Sequence, residues 1–346
     1  MGRKELLLAG IAAVFALSAD ELAARLLLDP PLRLSERHLG RNRAVPKHVA
    51  DANLGWALLS ENAKYRYQAS GKYGSVDAHY SIENGHRATA SHPLKGPLLI
   101  ATGCSFTFGM GVSDEDTWPW LLQERLPGYH VVNTGVGGYG TDQALLAADQ
   151  LVQHSTEPTR LVVLGFADFQ IDRNRSTQGM LYQQYPFGKP LFVARGTGVQ
   201  LSGLVRFWYP GSLLEHSVLF MEVLNRLANI VNRAPSHEGA REVTARLMVE
   251  FARRFQARGA RLAVVLLPHA WDRSPVPKAD QKFIVDRLHA AGIPTLVPEF
   301  PRMADGRLEA RRFFIPSDGI HPNGAYNLLL ADQVAKFLTC QRLSDK

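Results

Sequence analysis

Cysteine is scarce in this chain: Cys104 and Cys340 are the only two, and the twelve histidines are dispersed. No ligand spacing for zinc or another metal results, so neither a metal nor a cofactor is expected, and the pairing of the two cysteines stays open. Long apolar runs are also missing. The longest candidate, Leu6 to Ala19, falls short of the about 20 residues that span a bilayer. Position 6 is leucine where a myristoylation motif wants serine or threonine, which argues against that anchor. Clustered basic residues are missing too, and no helix-turn-helix, zinc-finger or RNA-binding signature is present. The formal net charge of +7 is therefore not read as a nucleic-acid footprint. It fits anionic surroundings such as lipid headgroups or acidic glycans. Global disorder is excluded, because 46% of the 346 residues are hydrophobic, enough for a full core.

Residues 1–28 pair a basic start, Arg3 and Lys4, with the apolar run, in the manner of a signal peptide or a membrane anchor. A cut after Ser18 leaves Ala16 three residues back from the bond. A buried N-terminal helix competes with both, since Leu22 to Leu28 continue apolar after Asp20 and Glu21. Basic residues before the run and acidic ones after it place the body outside the cytoplasm, in the periplasm or cell envelope. Residues 29–95 read as a connector with a β appendage. Arg25 to Lys47 is rich in arginine and carries Pro30, Pro31 and Pro46, as an extended or membrane-proximal linker does. From Asp51 to Pro97, Trp56, Tyr65, Tyr67, Tyr73 and Tyr80 at short spacing predict strands or hairpins that cover a sheet edge or shape a cleft entrance.

The body, residues 96–340, alternates strands and helices. Helices are expected over Trp118–Leu126, Thr141–His154, Arg241–Arg258 and Gln281–Ala291. Strands are expected at Leu98–Thr102, His130–Asn133, Arg160–Gly165, Arg261–Leu267 and around Pro294–Val297. This alternation predicts an α/β fold with a doubly wound parallel sheet of about five strands. A last helix buries Leu328, Leu329, Val334, Phe337 and Leu338. Residues 175–235 interrupt the pattern. Tyr182, Tyr185, Phe187, Phe207, Trp208 and Tyr209 there would line an aromatic lid or acceptor groove, or else pack an extra helix from about Leu213 to Val231.

Within the stretch Leu98 to Val112 a buried strand ends at Gly103, and Ser105 follows in a turn completed by Gly109 and Gly111. Such turns in open α/β sheets face the ligand crevice, so Ser105 presents a hydroxyl there. More than two hundred residues later, Asp318 precedes His321 by three positions, and Pro322 can open the last helix. A turn of that size sets the carboxylate on one ring nitrogen and leaves the other for a hydroxyl. The bland readings are a helix-capping serine, a turn-forming aspartate and a polar histidine at a helix start. Cys104 is itself a candidate nucleophile, but its side chain points away from that of its neighbour, and a packed thiol is the better reading.

These residues resemble the SGNH or GDSL serine hydrolases. Gly103-Cys104-Ser105-Phe106-Thr107-Phe108-Gly109 is similar to the first block of that family, with cysteine where aspartate is usual, and Asp318 with His321 is similar to its last. Asn133-Thr134-Gly135-Val136-Gly137-Gly138 looks like the second block. Gly165-Phe166-Ala167-Asp168 departs from the third, because Ala167 stands at the asparagine position. The resemblance implies a flavodoxin-like sheet and a Ser105, His321 and Asp318 triad, with the backbone N–H groups of Ser105 and Gly138 as oxyanion donors. Gln170 or Asn174 is the candidate substitute for the missing amide. It further implies a serine esterase acting on O-acyl, chiefly acetyl, groups of an envelope glycan or lipid. The turn and N-terminal segment also resemble alginate-type polysaccharide O-acetyltransferases, which would transfer the acyl group to a sugar. A non-catalytic glycan-binding protein is the rival class that Ala167 favours. One motif competes: Gly135-Val136-Gly137-Gly138-Tyr139-Gly140 satisfies the dinucleotide-binding pattern, with Asp168 as the later acid.

Overall fold

The computed structural model describes residues 16, 18–24, 26, 48–71, 73–90, 95–177, 188–205, 217–270 and 278–341. Most of the N-terminal segment, the connector and the aromatic residues Tyr182, Tyr185, Phe187, Phe207, Trp208 and Tyr209 lie outside these. Strands β1 (His48–Asp51) and β2 (Gly55–Leu58) form a separate antiparallel pair. A meander follows, of β3 (Ala63–Gly71), β4 (Gly74–Glu83) and β5 (His86–Arg87). The alternating body comprises β6 (Leu98–Gly103), α1 (Ser105–Phe108), α2 (Trp118–Arg125), β7 (His130–Asn133), α3 (Thr141–His154), β8 (Thr159–Phe166) and α4 (Gln170–Arg173). The insertion contributes a hairpin, β9 (Lys189–Arg195) and β10 (Gly198–Val205), and helix α5 (Val218–Val231). The chain then runs through α6 (His237–Gln256), β11 (Arg261–Leu266), α7 (Ala279–Ala290), β12 (Thr295–Leu296), α8 (Ala310–Phe313) and α9 (Gly324–Cys340).

The central sheet has eight strands, in the order β12-β11-β8-β6-β7-β5-β4-β3, where about five were expected. The five parallel strands of the expectation are there, from β12 to β7. The difference arises because Arg87 of β5 pairs antiparallel with Asn133 of β7, so the appendage continues the sheet rather than merely covering its edge. Helices pack on both faces. Leu98 and Ile100 of β6 enter one core, with residues of α3 and α6, while Leu99 and Ala101 enter the other, with residues of α2 and α9. Near-continuous apolar strands are what burial on both faces demands.

Several boundaries differ from the sequence reading. Asn323, not Pro322, caps α9: its side-chain carbonyl accepts from the Tyr326 N–H at 3.1 Å, while Pro322 pairs with Phe314 in an isolated bridge. The buried stripe of α9 is Tyr326, Leu330, Val334 and Leu338, and Leu328 is exposed, because Tyr326 sets the phase of the helix. The first half of the insertion supplies a β-hairpin where only glycine, proline and aromatic residues had been noted. Among the described residues no helix is long and apolar enough to cross a membrane.

Candidate active site

The carboxyl end of β6 delivers the chain into α1, whose first residue is Ser105. Three contacts hold that turn in place. The Ser105 carbonyl accepts from the Gly109 and Met110 N–H groups, both at 3.0 Å. From the neighbouring strand β7, the Asn133 side-chain amide donates to the Thr107 carbonyl at 2.9 Å. The loop after β7 then presses so close that a Cβ on Gly135 would sit 2.5 Å from the Phe108 nitrogen; only glycine allows this approach.

The distant segment meets this turn. His321 Nε2 is 3.1 Å from Ser105 Oγ, and His321 Nδ1 is 2.6 Å from Asp318 Oδ2. An ionised carboxylate only accepts, so Nδ1 carries the hydrogen and donates to Asp318, leaving Nε2 to accept from the Ser105 hydroxyl. Asp318 Oδ1 accepts two further hydrogen bonds, from the Ile320 and His321 N–H groups at 2.7 and 3.0 Å. The Phe106 ring meets the imidazole edge-on at 5.8 Å and fixes its other side.

Burial pushes the Asp318 carboxyl up, but the hydrogen bond and charge of His321, with the two backbone donors, outweigh it and hold the group below the usual carboxylate range. A depressed folded value stabilises fully above the unfolded value of about 4 and is lost as pH falls through the lower folded one. Urea unfolding of wild type and Asp318→Asn is therefore expected to differ at neutral pH, the difference beginning to shrink near about pH 4 and vanishing only below the depressed folded value.

The appendage takes part in the site as well as in the sheet. The hairpin between β3 and β4 lies on the loop that carries Asp318: the Tyr73 N–H donates to the Pro316 carbonyl at 3.2 Å. A Cβ on Gly71 would fall 1.7 Å from the Ser317 carbonyl oxygen. Burial first and the Asp318 charge second raise the Tyr67 hydroxyl above the ordinary phenol range. The hairpin thus sets the height of the loop over Ser105, an arrangement for which the sequence carries no local signal.

Behind the turn, Arg87 joins the appendage to the Ser105 segment. Fully buried, it donates to the carbonyls of Phe108, Gly109 and Val112 and pairs with Asp114 at 2.6 Å. Its guanidinium stacks 4.0 Å above the Tyr80 ring.

The remaining sequence candidates sort by geometry. Among the described residues, the backbone N–H groups of Ser105 and Gly138 have no hydrogen-bond acceptor. Ala167 is buried in the core, and its N–H donates to Gln170 Oε1 at 2.8 Å. Gln170 Nε2 is buried without an acceptor among the described residues. Asn174 is otherwise engaged, its amide donating to Thr244 Oγ1 at 2.6 Å, and is withdrawn as a donor. Cys104 is a buried free thiol and does not pair with Cys340. Asp168 lies in an ion cluster with His269 at 2.6 Å and Lys278 at 3.1 Å.

The dinucleotide pattern is filled by the protein itself. The Trp56 indole N–H donates to the Gly137 carbonyl at 3.2 Å, and the Tyr139 hydroxyl donates back to the Trp56 carbonyl at 2.7 Å. The start of α3 is covered by the buried Asp142–Lys189 pair and by Asn174. Burial pushes the Asp142 carboxyl up and the Lys189 amine down. A diphosphate therefore finds the start of α3 already taken by protein groups, which corrects that alternative.

No family model matches the chain, and no curated protein matches it. Among solved structures, the chain is similar to Est24, a carbohydrate acetylesterase from Sinorhizobium meliloti, at 13% identity over 71% of this chain and 99% of that one, with a TM-score of 0.38. It is similar to the psychrotrophic esterase EstA from Pseudoalteromonas sp. at 12% identity over 71% and 98%, TM-score 0.38. A member of the lipolytic protein G-D-S-L family from Veillonella parvula matches at 10% identity over 70% and 99%, TM-score 0.36.

Proposed function

We propose that this chain is a serine ester hydrolase of the SGNH or GDSL kind, working by two-step acyl transfer through Ser105. The observation that carries the reading is the hydroxyl, imidazole and carboxylate joined in line by the 3.1 Å and 2.6 Å contacts.

In the first step the Ser105 oxygen bonds to the acyl carbon as its proton passes to His321 Nε2. Asp318, holding Nδ1–H, fixes the ring tautomer and stabilises the imidazolium. The tetrahedral oxygen takes its charge between the N–H groups of Ser105 and Gly138. Collapse breaks the bond to the leaving alcohol, which takes the proton from His321. Water then gives its proton to His321 as it attacks the Ser105 ester, the acyl–Oγ bond breaks to release the acid, and His321 returns the proton to Ser105 Oγ.

The substrate we assign is an O-acetyl ester on an envelope glycan or lipid, met outside the cytoplasm. The basic surface and the basic-then-apolar N-terminus support that setting. A fluorophosphonate probe tests the reading: peptide mapping is expected to find the label on Ser105. Folded protein that stays unlabelled would refute it and leave glycan binding without chemistry. Mass analysis with an added oligosaccharide acceptor separates hydrolysis from transfer.

The hairpin contact gives a second expectation. Gly71→Val forces the Ser317 loop away from Ser105, and a displacement of about 1 Å lowers kcat roughly 10²-fold. Steady-state kinetics should show KM little changed and the folding transition retained.

A further inference from the structure

Helix α5 buries Val218, Met221 and Ala228 and leaves a second apolar row uncovered. Phe220, Val223, Leu227, Ile230 and Val231 recur at helical spacing, and Ile230 and Val231 are 73% and 63% exposed. A row of this kind costs solubility and marks a surface that meets something apolar.

The N-terminus indicates what that is. Glu21 caps α5: its carboxylate accepts from the Ser217 hydroxyl at 2.8 Å and from the Val218 and Leu219 N–H groups, both at 3.0 Å. Glu21, two residues after the apolar sequence Leu6 to Ala19, therefore meets the body at this helix. Leu22 and Leu26, which follow Glu21 in the chain, are 59% and 76% exposed. The formal net charge of the chain, +7, favours an anionic surface. The acidic residue of the helix, Glu222, is neutralised by Arg226 at 2.6 Å, and the exposed Arg233 follows the helix.

We infer that α5 lies in the interface of an anionic phospholipid bilayer, its apolar row inserted and its arginines at headgroup level. Interfacial helices of this composition bury the apolar face about 5–10 Å deep. The position has a consequence for the site. The Arg175 guanidinium donates to the Pro235 carbonyl at 3.1 Å, and His237, which opens α6, meets Asp172 at 2.9 Å. These contacts fasten the end of the helix beside α4, at the carboxyl ends of the strands, where Ser105 also sits. The C-terminal end of α5 is thereby held near the Ser105 side of the sheet. This deepens the proposed function toward substrates at a lipid surface, but lipid docking stands without it.

Environment-sensitive fluorescence on the full chain tests the inference. A polarity-sensitive dye is placed on Ile230→Cys/Cys340→Ser, Cys104 being buried. The control is the native exposed Cys340. Vesicles containing phosphatidylglycerol are expected to shift the dye at 230 to the blue and leave that at 340 unchanged. Leu227→Glu in the labelled chain is expected to weaken the shift about tenfold in lipid concentration, the loss of one buried side chain. Three results would overturn the inference. One is vesicle binding with no shift at 230. Another is a blue shift without vesicles that grows with protein concentration, which points to a second copy. The last is a blue shift without vesicles at every concentration, which points to Leu6–Ala19 folding onto the row. Ser105→Ala should dock unchanged, so failure of the ester chemistry and failure of docking are read separately.

Discussion

Ser105→Ala is expected to lower turnover of p-nitrophenyl acetate by at least about 10³-fold while leaving the circular dichroism spectrum and the urea midpoint in place. The size follows from the role proposed for the hydroxyl: without it no covalent ester would form, and His321 and the oxyanion donors could only assist water. Residual catalysis of about 10³–10⁴ over the uncatalysed reaction is what such machinery retains when its nucleophile is removed. His321→Ala should fall about as far, because the two groups act as one unit and their losses do not add. Equal activity in wild type and Ser105→Ala would place the chemistry elsewhere.

The largest effect on stability is expected at Arg87. Its guanidinium makes ion-pair and carbonyl contacts that no other residue can reproduce together, from a position with no solvent exposure. Arg87→Ala leaves Asp114 without its buried countercharge and takes a donor from the carbonyls of His79, Phe108, Gly109 and Val112. Breaking a buried pair from one side costs about 3–5 kcal/mol. Urea unfolding should show that loss. Arg87→Lys should recover only part of it, because an ammonium cannot present the planar fork that spans Asp114 and the Val112 carbonyl. Asp114 is itself shared: both its oxygens accept from the Ser81 N–H, at 3.1 and 2.9 Å. The labelling of Ser105 by a fluorophosphonate should weaken along with stability, since the carbonyls of Phe108 and Gly109 belong to the turn that presents Ser105. A midpoint within error of wild type would show that the pair is dispensable.

Arg87 also shows where reading the chain runs out. It is one among 39 lysines and arginines, and its partners lie on β4, on α1 and in the turn beyond, so nothing near it in the chain marks it. Gly71 is similar: its importance is the approach of a backbone some 240 positions later, a separation no periodicity encodes. Asn133, read as part of a glycine-rich block, proved to be the clamp on Thr107. The edge pairing of Arg87 with Asn133 turns an appendage into three additional strands of one sheet, and edge pairing is a matter of backbone reach rather than of composition. On α9, counting leucines put Leu328 inside, whereas the aromatic ring of Tyr326 had already set the buried phase.

Local chemistry was legible throughout. Apolar runs flanked by glycine gave the parallel strands, and helical spacing gave their crossovers, because burial on two faces selects those patterns directly. A glycine-bounded serine and an aspartate three residues before a histidine are short-range features, so Ser105, Asp318 and His321 could be named from the chain. Their meeting was expected only through the family resemblance, and neither the filling at the start of α3 by Asp142 and Lys189 nor the exposed apolar row on α5 had any local signal. Those depend on which distant surfaces touch, and contact between segments hundreds of residues apart is decided by packing of the whole core rather than by any stretch of it.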